Sequence, residues 1–304
     1  MAEPDRPDRR EETPLEVDPE ASGLGRIAIW LERSRVARAR VEAARERHSS
    51  LDLGFTVFER DAAIGGGLLA GALAYRFFVL LLPTALLFVS GLGLYADAAN
   101  KSTREAAADA GLQGLLASQV ATTARGGARW AVLLVAIPLT LYAAAKLYRA
   151  IAITHAIAWH GSGRGVRTTP RGVGLLLVVL FLTILAVELG AFVRRHGDFG
   201  DLIALAVYIG LVGGGWLLLT RELPHRNVGW RALLPGAALV GAGLLLVNVF
   251  NVYVTTRLVE NRANTYGALG VAAALLFSLV LVGRVIVLSA ELNAEVDNHR
   301  RAST

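Results

Sequence analysis

The chain has 304 residues, of which 54% are hydrophobic and 18% charged, and its mean hydropathy is +0.48. Soluble globular proteins carry about a quarter charged residues and slightly less than half apolar ones. The sequence contains no cysteine, which excludes disulfides, thiol catalysis and cysteine-ligated metal sites. Several windows of about 20 residues are almost uncharged, so the composition excludes most soluble proteins and predicts a multi-pass membrane protein.

The N-terminal part of the chain divides into two segments. Residues 1–22 contain four prolines, eight acidic residues and almost nothing apolar, so we expect a disordered cytoplasmic tail. Residues 23–61 place apolar side chains at helical spacing and arginines on the other faces. This pattern predicts a basic amphipathic helix on the inner membrane surface, with Trp30 at headgroup level. A solvated charged helix is the alternative, whereas nucleic-acid binding is disfavoured because no set of stacking aromatic residues accompanies the arginines.

Apolar segments dominate the rest of the chain, and the sequence predicts an all-α polytopic membrane protein. Residues 62–292 form the predicted six-helix transmembrane domain, and residues 293–304 a cytoplasmic C-terminal tail. The polar stretch 96–129 suggests a short surface helix. The six apolar spans lie at about 64–95, 130–147, 172–193, 201–220, 232–254 and 266–290.

The distribution of basic residues predicts the orientation. Of 31 basic residues, 29 are arginines. If the N-terminus is inside, the cytoplasmic segments carry 21 of them, the outer segments carry 8, and Arg76 and Arg284 are embedded. Because positive charge accumulates on the cytoplasmic side, we expect both termini there, in the inner membrane of a cell. The same bias explains a pI near 10.0 without a nucleic-acid partner.

The motifs of an enzyme are missing. None of the six histidines pairs with another at a spacing of four, so no helical metal site is predicted. The glycine runs at 65–67 and 213–215 lack the lysine of a phosphate loop. We expect these glycines, with Ala237 and Gly241, to allow close helix packing. The sequence therefore predicts no catalytic residues, no metal, no cofactor and no enzymatic activity.

Polar residues at membrane depth are the candidate ligand or translocation path, because such groups are costly unless paired or hydrated. Glu188 could belong to this path or pair with Arg194 at the interface. Asn248 and Asn251 share one face of the fifth span, where the alternative is hydrogen bonding between helices.

Arg76 and Arg284 are the sharpest candidates. Arg76 lies eight residues into the first span and Arg284 six residues from the end of the last, about 12 Å and 9 Å from the same surface. At that depth the only carboxylate expected is that of Glu291. Unpaired guanidiniums suit a phosphate group, so the sequence predicts an inward-facing basic cavity that binds an anionic lipid headgroup. The alternative is that each arginine snorkels to the interface.

Three stretches resemble the YihY/BrkB family. The first is AYRFFVLLLP at 74–83, in the first span. The second combines Leu-Pro at 223–224 with WRALLPGA at 230–237, and the third combines YGALG at 266–270 with AELNA at 290–294. Order and spacing agree from about residue 51 to 297. Arg284 departs from the pattern, since the family is expected to be apolar there.

The resemblance implies a six-helix inner-membrane protein without an established reaction. Members have been called virulence or serum-resistance factors, and a ribonuclease name for the family is regarded as mistaken. Transport of lipids or other amphiphiles has been suggested for relatives. We therefore expect a permease or lipid-handling protein whose partners are membrane lipids. The alternative is a scaffold for envelope integrity, which a solidly packed bundle with internally satisfied charges would favour.

Overall fold

In the computed structural model, the residues described are 49–100, 102, 129–194, 200–251 and 256–302. Contacts divide the chain into two units, Met1–Phe55 and Thr56–Thr304. Of the first unit, only the helical residues 49–55 are described. The predicted tail at 1–22, most of the predicted surface helix at 23–61 and most of the stretch 96–129 lie outside the described residues.

Regular structure in the described part of the chain is entirely helical, which confirms the predicted all-α class. Six of the helices, α2 to α7, are long and apolar enough to cross a membrane, as the six apolar segments predicted. The helices are α1 (Ser49–Ile64), α2 (Gly66–Ala98), α3 (Arg129–His160), α4 (Pro170–Arg194), α5 (Gly200–Thr220), α6 (Trp230–Phe250) and α7 (Thr256–Ala302).

The longest helix is α7, with 47 residues. At 1.5 Å per residue it extends about 70 Å, more than twice the hydrocarbon thickness of a bilayer. The segment predicted as a C-terminal tail is therefore helical as far as Ala302. Glu291 and Glu295 therefore belong to the same continuous helix as Arg284. The three side chains lie on one face of that helix.

The six membrane helices form a closed ring in chain order. Each helix from α2 to α6 packs against the next, and α7 closes the ring by packing against α2. Helix α3 also contacts α7, whereas its packing against α4 is less extensive. We call proximal the end where α2, α4 and α6 begin and α3, α5 and α7 end, and distal the opposite end.

Small residues set the closest approach between α5 and α6. A Cβ on Gly213 would lie 3.1 Å from the carbonyl oxygen of Ala237, and one on Gly241 would lie 3.1 Å from that of Ile209. The prediction that these small residues allow close helix packing is confirmed.

The first glycine run has a different structural role from the predicted one. Gly65 has a φ of 70°, a left-handed conformation that ends α1 and starts α2. Its neighbour Gly66 lies against the side chain of Asp61. The run therefore makes the turn between α1 and α2, and the prediction of helix–helix packing at 65–67 is wrong for Gly65.

Candidate functional site

The distal half of the ring contains an apolar cavity of about 380 Å³, which we call the chamber. Ligand pockets typically measure ~300–1,000 Å³. Residues of α2, α4, α5, α6 and α7 line the chamber, and none of the lining residues is charged. The side chains with polar atoms that line it are Thr84, Thr183, Tyr208, Trp216, Asn248 and Asn251.

Three of these six polar groups are satisfied by protein. The hydroxyls of Thr84 and Thr183 each donate to a carbonyl one turn earlier in their own helix, at 2.8 Å. Asn251 accepts a short hydrogen bond from Ser278 of α7. By contrast, the amide of Asn248, the hydroxyl of Tyr208 and the indole Nε1 of Trp216 have no hydrogen-bond partner among the described residues. The chamber thus offers a ligand an apolar wall with three polar groups that have no protein partner.

Buried aromatic rings fill the proximal half of the bundle. Trp216, at the base of the chamber, lies 6.1 Å between ring centroids from His155. Trp159 lies 6.2 Å from His225, and the hydroxyl of Tyr148 donates to a carbonyl in the α5–α6 loop at 3.2 Å. Trp216, His155, Trp159 and Tyr148 are each at most 3% exposed. This layer closes the chamber towards the proximal end.

The chamber opens at the side of the bundle. Leu81 of α2 and Ile184 of α4 line it and are 39% and 64% exposed. Helix α3, which follows α2 in the ring, contributes no residue to the lining. Since both exposed side chains are apolar and lie in membrane helices, the opening faces the lipid rather than water.

The proximal half of α7 carries a cluster of charged residues. The guanidinium of Arg284 donates from Nη1 and Nη2 to Oδ1 and Oδ2 of Asp61, both at 2.8 Å. The Asp61 side chain is 7% exposed and that of Arg284 is 29% exposed. The expectation that Glu291 is the only carboxylate at the depth of Arg284 is therefore wrong. Asp61 lies in α1, four residues before the Gly65 turn, so the partner comes from outside the apolar spans.

The two embedded arginines also lie at different depths. Gly283 packs against the backbone of Ala70, where an added Cβ would lie 2.5 Å from the carbonyl oxygen. Because α2 and α7 run in opposite directions, Arg76 is displaced from Arg284 by about seven residues, or about 10 Å, towards the distal end. Arg76 is half-buried, its Cζ lies 5.7 Å from the ring centroid of Tyr75, and neither arginine lines the chamber.

A second charged pair lies next to the first. Arg60 of α1 contacts Oε2 of Glu295 at 2.9 Å and donates to the carbonyl of Ala158 at 2.6 Å. Between Arg284 and Glu295 along α7 lies Glu291, which is 0% exposed. Neither of its carboxyl oxygens has a hydrogen-bond partner among the described residues.

A tight contact between α6 and α7 lies at the same level. The backbone N–H of Gly236 donates to Oδ1 of Asn293 at 2.7 Å, and a Cβ at Gly236 would lie 2.4 Å from Nδ2. This hydrogen bond fixes the orientation of the Asn293 amide. Both residues belong to stretches on which the family resemblance depends.

The structure brings together two of the five predicted site residues. Asn248 and Asn251 line the chamber, and the interhelical bond proposed as their alternative is present at Asn251. Arg284 lies in the charged cluster and Arg76 apart from it. Glu188 belongs to α4, but its side chain lies outside the described residues.

Sequence reasoning missed Tyr208 and Asp61. The hydroxyl of Tyr208 is a polar group about eight residues into a membrane span. A polar group at such depth is the signal that identified Asn248 and Asn251. Asp61 could not be identified as a polar residue at membrane depth, because it precedes the first predicted span. It lies in α1, which a left-handed turn at Gly65 separates from the first membrane helix.

One comparison with known protein families gives a match. The family model described as Virulence factor BrkB matches residues 57–304. This match agrees with the resemblance seen in residues 51–297. No curated protein and no solved structure matches the chain.

Proposed function

The chain belongs to the Virulence factor BrkB family of membrane proteins, and from this premise we propose that it is a permease or lipid-handling protein that binds amphiphiles in the chamber. The observation that carries the proposal is an apolar cavity of about 380 Å³ that opens between membrane helices. An apolar chain can enter such an opening from the bilayer without crossing water. The role is one of binding and passage rather than catalysis.

The lining also favours a type of headgroup. A ligand charge in the chamber would meet no opposite charge, and an uncompensated ion in an apolar site is costly. The amide of Asn248 and the hydroxyl of Tyr208 suit an uncharged group that donates and accepts hydrogen bonds. We therefore replace the expected anionic ligand with an uncharged amphiphile, such as a lipid alcohol or a monoacylglycerol.

The protein would act in the inner membrane with both termini in the cytoplasm. This orientation follows from the excess of arginine in the proximal segments. The lateral opening would then lie in the outer half of the bilayer. The partners of the protein would be membrane lipids.

Binding of a fluorescent monoacylglycerol to the full chain in lipid nanodiscs tests the proposal. Ile184→Trp places a bulky ring in the lining and should weaken binding about tenfold, or about 1.4 kcal/mol. Leu134→Trp is the matched control, since Leu134 is 73% exposed on α3 and lines no part of the chamber. Asn248→Leu should weaken binding by about 1 kcal/mol through loss of one hydrogen bond.

The phosphate ester of the same lipid distinguishes the two kinds of headgroup. We expect it to bind more weakly than the uncharged lipid. The proposal would be wrong if the phosphate ester bound more tightly, if Arg76→Gln abolished its binding, and if Ile184→Trp had no effect on either lipid.

A scaffold is the second candidate function, and the Arg284–Asp61 pair favours it. A charge neutralised within the bundle needs no ligand, as expected of a structural element. Binding of neither lipid, in nanodiscs that contain folded protein, would support this role.

A further inference from the structure

The carboxyl group of Glu291 is the one buried ionisable group on the described part of α7 for which the structure provides no donor. It is 0% exposed, and both oxygens lack a hydrogen-bond partner among the described residues. An ionised carboxylate in such a site costs several kcal/mol or more. The neighbouring carboxylates do have cations: the buried Asp61 has Arg284, and the half-buried Glu295 has Arg60.

The charges of this cluster do not balance if every carboxylate is ionised. Two guanidiniums face three carboxyl groups, and each guanidinium is already paired with one of them. Asp61, Arg284 and Arg60 are the charged groups that act on Glu291. With a proton on Glu291 the cluster is neutral, and without it the cluster has one excess negative charge.

The other helices packed against α7 provide no compensating charge that is both described and buried. On α3 the buried ionisable side chains are His155, which bonds the carbonyl of Ile151, and Tyr148, which bonds the α5–α6 loop. The described charged residues of α2 and α6 are half-buried or exposed: Arg76, Asp97 and Arg231.

We propose that Glu291 is a proton-binding site. Its carboxyl group carries a proton in the packing that this structure shows. Release of this proton breaks the O–H bond and passes the proton to water. The inference goes beyond the proposed function, because an uncharged amphiphile can bind in the chamber without it.

Infrared spectroscopy of the full chain in nanodiscs, without added ligand, tests the site directly. A buried protonated carboxyl gives a C=O stretching band that shifts when water is replaced by D₂O. At neutral pH the native protein should show this band, and Glu291→Gln should lose it. Asp297→Asn is the control, because Asp297 pairs with Arg301 and is not among the charges that act on Glu291.

A second variant tests the charge balance while retaining Glu291. Asp61→Asn releases Arg284, which lies two turns from Glu291 on the same helix, about 10 Å along the axis. A free guanidinium should draw the proton off Glu291, so the band should disappear in this variant too. The proposal is overturned if the native protein shows no such band, if Glu291→Gln keeps it, or if Asp61→Asn keeps it. None of these spectra involves a lipid ligand, so their failure is separate from a failure of the chamber.

Discussion

An arginine within a membrane span needs a carboxylate, water or a headgroup near its guanidinium, because an uncompensated charge there costs several kcal/mol. Arg284 has Asp61, in a two-bond fork at 2.8 Å. Arg76 has no carboxylate partner among the described residues, and its stem can carry the charge towards the interface. The two arginines, alike in the sequence, therefore belong to different environments.

The Asp61–Arg284 pair should be asymmetric in its contribution to stability. Arg284→Gln leaves the carboxylate of Asp61, 7% exposed, without its cation, and breaking a buried pair in this way costs about 3–5 kcal/mol. Asp61→Asn should cost less, because Arg284 is 29% exposed and can turn to Glu291. The measurement is the free energy of unfolding in mixed micelles for both single variants and the double variant.

The double variant Asp61→Asn/Arg284→Gln is the control, because it leaves no unpaired charge. It should be more stable than Arg284→Gln alone, which gives a favourable coupling energy. Equal stability of the two single variants, with additive effects in the double, would show that the pair contributes nothing.

At the scale of the helices, backbone contacts rather than large side chains determine how the ring closes. Helices α2 and α7 meet where Gly283 packs on the carbonyl of Ala70, and α5 and α6 meet through Gly213 and Gly241. In lipid, association depends on such close packing because lipid chains are as apolar as the helix surfaces. Helix α7 therefore packs against α2 at Gly283, a residue without a side chain.

Gly283→Ala should separate α2 from α7. The added Cβ would lie 2.5 Å from the carbonyl oxygen of Ala70, which is backbone and cannot rotate away. We expect a loss of about 1–3 kcal/mol in unfolding free energy, as for overpacking in other cores. Gly210→Ala is the matched control, since no atom lies within 4 Å of its Cβ. A Gly283→Ala protein as stable as Gly210→Ala would contradict the close contact.

At the scale of the helices, some features could be predicted from the sequence and others could not. Hydropathy predicted six spans because each needs a long apolar segment regardless of its neighbours. Asn248 and Asn251 were found because amides are rare at that depth. The pairing of Asp61 with Arg284 could not be predicted, since it depends on one left-handed glycine and on the closure of α7 against α2. Reasoning from depth alone therefore predicted a basic cavity, whereas the structure has an ion pair between Arg284 and Asp61.

For the molecule as a whole, the two ends of the ring differ in chemistry. The proximal end holds the ion pairs and the layer of buried rings, whereas the distal half holds the chamber and carries few basic residues in its connections. This asymmetry agrees with the arginine distribution, because both place charged groups at the end where α7 terminates. A fixed orientation then decides on which side of the bilayer the chamber opens.

Reporter fusions test that orientation. With 21 basic residues in the segments that share the proximal side and 8 in the distal ones, transfer of the proximal side across the membrane is strongly disfavoured. A reporter fused after Thr304 should behave as cytoplasmic, and one inserted near Gly111 should behave as external. Replacing Arg164, Arg167 and Arg226 in the proximal loops by Gln should weaken this preference, since short loops contribute most to it. If the native chain gave the reverse pattern, the chamber would open in the inner half of the bilayer, and passage would have to start from the cytoplasmic leaflet.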